Sequence, residues 1–426
     1  MDISTLPIIE PEGAERQSGL RRPLERTHSH AMASVQVSVS WTSDEAQHTD
    51  IRLIEKLNLW RDIIPPELEA GLMDRPRGHA LTARFPAGQL VAASRDGQVL
   101  RIKVRQFDQR FRRSALVHPR VGRFYPQGIL KNVPGVYTGN MTPFRVVEVE
   151  PEQLTVDLNH PLAGRELEIG ARLVDIWEAG QEHGGACNDL AEMATASGPG
   201  IQARWRGRPT DFWSDLPFVR VDPTPDDRFY TEPRLVHHLD ATARRQIRGL
   251  HGRLIPAGAR VLDLMTSWES HLPERLETGP VTGLGMNGAE LQANPRLAER
   301  VVHDLNLNPR LPFGDRSFDA VICTASVEYL TEPFDVFEEV ARVLNPCGIF
   351  VVSFSNRRFP PKVIRIWEDV HEFERPGLVL EYFLRSGRFQ ELQTYSLRGL
   401  PRPADDKYAA RTALSDPVYA VWGQVS

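Results

Sequence analysis

From residue 260 onward, short apolar runs alternate with amphipathic stretches, and this alternation limits the choice of fold more than any other feature of the chain. The runs are RVLDLM (260–265), VTGLGM (281–286), FDAVICTA (318–325) and GIFVVSFS (348–355). Between the last two, FDVFEEVARVL (334–344) sets Phe334, Phe337, Val340, Ala341 and Leu344 on one helical face. Buried strands separated by helices predict a parallel α/β sheet covered on both sides. Such sheets hold ligands at the carboxyl ends of their strands.

The first half reads differently. VQVSVSW (35–41), ALTARF (80–85), VLRIKV (99–104), FRVVEV (144–149), LTVDL (154–158) and ELEIGARLVDI (166–176) lie between Gly- and Pro-rich turns. Their two-residue period predicts a β-rich domain over 34–176. The chain is therefore divided into a disordered tail (1–33), this domain, a linker region (177–231), the α/β domain (232–400) and a C-terminal extension (401–426). EPRLVHHLDATARRQIRGLHGRLI (232–255) predicts a helix entering the α/β domain.

Composition narrows the function classes. Fifty-one Lys and Arg against 56 Asp and Glu leave a net charge of -5, without the basic field that binds nucleic acid. No apolar run approaches the roughly 18 residues of a membrane span. The three cysteines, Cys187, Cys323 and Cys347, have no CxxC spacing, so disulfides and a Cys-based zinc site are not expected and a reducing cytoplasm is. Adjacent histidines such as His237 and His238 cannot face one metal from a helix, and no metal site is expected.

The segments RVLDL, VTGLGMNGAEL (281–291), HDLNLNPRLPFGDRSFDAVICTASVEYL (303–330) and EVARVLNPCGIFVVSFSN (339–356) resemble, in order, those of class I S-adenosylmethionine-dependent methyltransferases of the small-molecule type (methyltransferase type 11). The resemblance covers roughly 232–400 and implies a Rossmann-like fold, S-adenosylmethionine as cofactor and an unknown methyl acceptor. It places cofactor-binding residues at Asp263, Thr266, Ser267, Trp268, Asp304 and Leu305. The family's first loop is Gly-rich, whereas here it runs Met265 to His271 without a glycine. The hydroxyls of Thr266 and Ser267 are expected to replace glycine amides on the cofactor carboxylate, with Trp268 as a wall. The family's ribose-binding acid falls at Gly285. Glu328, after the fourth strand, is the candidate catalytic base.

VDLNHPLAGRELEIGARLVDI (156–176) resembles the closing strands and turn of SlyD-type FKBP peptidyl-prolyl isomerases, with Asn159 to Gly164 matching the turn. Pro66 to Leu72 and Gly78 match the family's helix and turn in spacing, and 105–150 fits its inserted chaperone module. The resemblance implies an α+β FKBP-like fold for 34–176 and a pocket walled by Trp41, Leu68 and Ile169. It implies proline-containing or unfolded polypeptides as partners. The backbone N–H that takes the substrate carbonyl in the family falls at Pro65, which has none. The combined reading is a fusion of an isomerase or chaperone domain with a methyltransferase-like domain. The competing reading is a polypeptide-binding scaffold in which both sites have lost catalysis.

Overall fold

The computed structural model describes residues 22–111, 116–180 and 185–426. Its N-terminal unit begins with a hairpin of β1 (Ala31–Thr42) and β2 (Gln47–Asn58). The Ser43 hydroxyl closes the turn by accepting from the Glu45 and Ala46 amides, both at 3.2 Å. Helix α1 (Pro66–Leu72) follows, with Pro66 at its first position, where a missing N–H costs nothing, and buries Leu68 and Leu72. Next come β3 (Ala80–Phe85), β4 (Val99–Lys103), β5 (Phe124–Pro126), β6 (Pro143–Val149), β7 (Gln153–Asp157) and β8 (Leu167–Glu178). Strand β8 pairs antiparallel with β1 and β3. Strands β4, β7, β6 and β5 form a separate four-stranded sheet over a core that includes Phe107, Phe144, Val146 and Val156.

The chain then forms α2 (Leu190–Thr195), α3 (Asp226–Phe229) and α4 (Ala241–Leu254). Helix α4 starts later than the sequence pattern, because the Asp240 carboxylate accepts the Ala243 amide at 2.8 Å and caps it there. The α/β part is built from β9 (Val261–Leu264), β10 (Val281–Gly285), α5 (Gly288–Ala293), β11 (Glu299–Val302), β12 (Phe318–Thr324), α6 (Pro333–Val343) and β13 (Leu344–Phe354). It is completed by α7 (Arg365–Asp369), α8 (Glu374–Ser386), β14 (Phe389–Arg398) and β15 (Val418–Val425).

One sheet of 11 strands runs through both parts, in the order β11-β10-β9-β12-β13-β15-β14-β2-β1-β8-β3. Strands β11 to β13 are parallel, while β15 lies antiparallel between β13 and β14. This is a Rossmann-like sheet: connections from β9 go outward through β10 to β11, and β12 starts the other half beside β9. The order reverses between β9 and β12, which is where such sheets open a ligand crevice.

Three expected boundaries move. Residues 1–21 of the expected tail lie outside the described residues, but Pro23 already bridges to Trp177 and β1 begins at Ala31. The region 177–231 is not a free linker: Ile201 and Phe212 join the core under α6 and α8. The segment 401–426 is not an extension, since its β15 lies inside the sheet with Tyr419, Ala420 and Val421 fully buried.

The seam between the halves is polar and closed. Strand β14 runs parallel to β2, pairing Thr394 with His48 and Ser396 with Asp50. The His48 ring bonds Thr394 Oγ1 at 2.7 Å and Ser43 Oγ at 2.9 Å, and burial holds it neutral with a pKa of about 3. Ser396 Oγ donates to Asp50 at 2.6 Å, and the Arg398 guanidinium reaches the same carboxylate at 3.0 Å. Ile51 and Leu53 of β2 belong to the apolar cluster that also contains Ile247, Leu250, Ile322 and Val351. The core therefore crosses the seam.

Candidate functional site

Strand β9 is buried at every position, and the chain leaves it through Met265, whose φ of 57° is left-handed without being glycine. Side chains and a few backbone bonds hold the loop that follows. The Thr266 amide donates to Leu284 O at 2.9 Å, which lays the loop across the end of β10. Thr266 Oγ1 donates to Asp263 at 2.7 Å, and Ser267 Oγ donates to Glu290 at 2.6 Å. Asn294 Nδ2 donates to Ser267 O and Ser270 Oγ. Trp268 lies beside the His237 ring, centroids 4.6 Å apart, and its Nε1 donates to Val236 O. Glu269 pairs with His237 at 2.8 Å and with Arg244 and Arg248.

Above the carboxyl ends of β9, β10 and β12 is a cavity of about 430 Å³. That is within the range of small-ligand sites. Asp263, Thr266, Ser267, Trp268, Asp304 and Leu305 all line it, so the structure brings the six expected cofactor residues to one place. Burial pushes the Asp263 carboxyl up to about 6, against the hydrogen bonds from Ser270 and Thr266. Asp304 accepts the Asn306 and Leu307 amides at 2.9 and 3.2 Å. Leu305 is buried beneath it. Thr266 and Ser267 do not point free hydroxyls outward, since both donate to carboxylates of the chain.

Glu328 is placed differently from its expected role. It is fully buried, does not line the cavity, and neither carboxylate oxygen has a hydrogen-bond partner among the described residues. Burial pushes its pKa up to about 7. Its chain neighbours Ser326 and Tyr329 line the cavity instead. Trp41, Leu68 and Ile169 do meet, in one apolar cluster with Phe85 and Leu167. They are at most 4 % exposed and so form core, not an open wall. Pro65 caps α1 as the residue without an amide.

Several lining residues gave no sequence signal. Glu290 is on α5, five residues beyond Gly285, and receives both Ser267 Oγ and the Arg234 amide. Tyr230 and Arg234 come from the stretch before α4, beside His238, which the sequence marked only as one of an adjacent histidine pair; Phe359 comes from after β13, and Lys407 and Tyr408 from the segment before β15. Among the described residues, no group of three or more His, Cys, Asp or Glu could hold a metal ion, and no helix is long and apolar enough to cross a membrane.

The cavity fits a polar cofactor of nucleoside size. Thr324 Oγ1 and His271 Nδ1 are buried atoms of lining residues without a hydrogen-bond partner among the described residues. Asp263 and Asp304 add acceptors, and Trp268 and Tyr230 add aromatic faces.

Residues 271–352 match the family described as "Methyltransferase domain". The match begins at His271, the last residue of the glycine-free loop, and ends within β13. The C-terminal part of the chain thus carries a methyltransferase domain, and the cofactor of such domains is S-adenosylmethionine. A curated relative, the malonyl-(acyl-carrier protein) O-methyltransferase of Marinomonas sp. (strain MWYL1), is 31% identical over 78 residues, which are 17% of this chain. The chain spans 29% of the length of that relative. Among solved structures, the possible histamine N-methyltransferase of Thermotoga maritima is 14% identical with a TM-score of 0.34, covering 47% of this chain and 95% of its own. The complex of the Haloferax volcanii Trm112 methyltransferase activator with a methyltransferase gives 20% identity and a TM-score of 0.33, covering 43% and 90%. Likenesses this partial carry no argument about the whole chain.

Proposed function

We propose that the chain transfers a methyl group from S-adenosylmethionine to a small acceptor in this cavity. The observation that carries the reading is the convergence of Asp263, Trp268 and Asp304 around a cavity at the switch point between β9 and β12. The cofactor supplies an electrophilic methyl on a sulfonium. Asp304 and Leu305 would hold its adenosine side, while Asp263 and the Met265–Trp268 loop would hold its amino-acid side. His238, which lines the cavity at its exposed mouth, is the group placed to take a proton from the acceptor, a role that the buried position of Glu328 does not suit.

Calorimetric titration of the full chain with S-adenosylmethionine tests this. Asp304→Asn is expected to weaken binding by about 1–3 kcal/mol, the scale of a hydrogen bond to a charged group, or roughly 5- to 150-fold. Absence of binding at millimolar cofactor sinks the reading.

For the N-terminal unit, the FKBP-like sequence of 156–176 supports binding of proline-containing or unfolded polypeptides in a reducing cytoplasm. Pro65 and the closed cluster around Trp41 favour binding over isomerisation. Suppression of aggregation without acceleration of prolyl isomerisation is the expected result. A rate like that of an ordinary isomerase would restore the enzymatic reading.

A further inference from the structure

Most cations around the cavity have a carboxylate partner. Arg357 pairs with Asp416 at 2.9 Å, Arg358 with Glu368, and Arg244 with Glu269. Arg234 and Lys407 form no ion pair among the described residues. The Arg234 guanidinium lies over three rings, 4.3 Å from Phe229, 5.0 Å from Phe359 and 5.7 Å from Tyr230. Its Nη2 donates to Phe229 O at 3.1 Å, while its Nη1 is buried without a partner. The Lys407 ammonium sits 5.2 Å from the Tyr408 ring.

His238 ties the two together. Its ring meets Phe359 edge-on at 5.0 Å, and the positive fields of Arg234 and Lys407 both act on it. Glu290 is the carboxylate whose field opposes them, and its oxygens already accept Ser267 Oγ and the Arg234 amide. Aromatic faces offset part of the cost of an unpaired cation. They leave the Nη1 N–H groups of the guanidinium without an acceptor, and such donors match a carboxylate oxygen.

We infer that Arg234 and Lys407, on either side of the neutral His238 ring, form an anion subsite at the cavity mouth that takes a carboxylate of the methyl acceptor. The inference rests on the methyl-transfer reading for the word acceptor. The subsite itself rests on the unpaired cations alone. The carboxylate has a second conceivable source, the amino-acid end of the cofactor, and the test separates the two.

The experiment titrates the full chain with glutarate, with its uncharged diamide and with S-adenosylmethionine, in wild type, Arg234→Gln and Lys407→Met. Circular dichroism checks folding, and Lys407, being exposed, keeps the test open where Arg234→Gln fails to fold. Wild type is expected to bind glutarate and not the diamide, with S-adenosylmethionine failing to displace it. Each variant is expected to lose about tenfold in glutarate affinity and to keep its S-adenosylmethionine affinity within about twofold. Competition between glutarate and S-adenosylmethionine, with both weakened in the variants, would assign the subsite to the cofactor and overturn the inference. So would a wild type that ignores glutarate. Glutarate binding that the variants lose, in a chain that never binds S-adenosylmethionine, would uphold the anion subsite and remove the methyltransferase reading.

Discussion

A Cβ on Gly285 would overlap the carbonyl oxygen of Thr266. The loop after β9 lies directly on the end of β10, held by the bond from the Thr266 amide to Leu284 O. No side chain, and so no ribose-binding acid, fits at that position while the loop keeps this path. Gly285→Ala is therefore expected to destabilise the chain by about 1–3 kcal/mol, the usual cost of overpacking. Gly285→Asp should unfold more readily still and should not tighten S-adenosylmethionine. Thermal melts and calorimetry check this pair, and a Gly285→Asp chain with wild-type stability would contradict the packing argument.

The buried Glu328 gives a pH dependence with a defined sign. Its folded-state pKa of about 7 lies above the ordinary 4.5, so the folded chain keeps a proton that the unfolded chain releases. That contribution is complete below about pH 4.5 and is lost as the pH climbs through about 7. At 1.36 kcal/mol per pKa unit the loss approaches about 3 kcal/mol by pH 8. Glu328→Gln removes the titration. Urea denaturation at pH 5 and pH 8 should show a smaller difference in the variant than in wild type, and an unchanged difference would place the proton elsewhere.

The α/β half was legible because its central strands are continuous apolar runs, and buried parallel strands need them. Asp263, Thr266, Trp268 and Asp304 were legible because they sit at strand ends. The cavity cover was not, because Arg234 falls in the part of the expected 232–255 helix that the Asp240 cap leaves outside α4, and Lys407 in a segment with no apolar period; they are 173 positions apart in the chain, and only the folded sheet brings them together. Glu328 was placed correctly in the chain and wrongly toward the cavity, since the short helical turn at Val327–Tyr329 buries it. The seam was hidden as well. β2, which carries the polar His48, Thr49 and Asp50, is not among the strands expected from the sequence, and its edge is paired by β14 through Thr394, Ser396 and Arg398.

That seam predicts how the halves behave apart. A fragment of residues 22–180 leaves the edge of β2 without β14, and unpaired strand edges associate. It is expected to run as a dimer or larger on size exclusion, whereas the sequence alone suggested an independent domain over 34–176. In the full chain, Asp50→Ala leaves Arg398 without its carboxylate and should cost about 3–5 kcal/mol, as removal of one partner of a buried ion pair does. A monomeric fragment that melts cooperatively, together with a harmless Asp50→Ala, would show that the seam contributes little.

Trp41, Leu68 and Ile169 discriminate between a closed core and an isomerase pocket. Packed as they are, Trp41→Ala should destabilise by about 3–5 kcal/mol and Leu68→Ala by about 2–5, while Ile169→Val should cost about 0.5–1.5. Residues walling an open pocket behave the other way, since their truncation changes substrate turnover and spares stability. Ile169→Val is the sharpest of the three because it leaves the chain folded at assay temperature. Its expected signature is a measurable loss in denaturant midpoint with no change in the rate of prolyl-peptide isomerisation. A changed rate with an unchanged midpoint would mean that the cluster opens to substrate in solution.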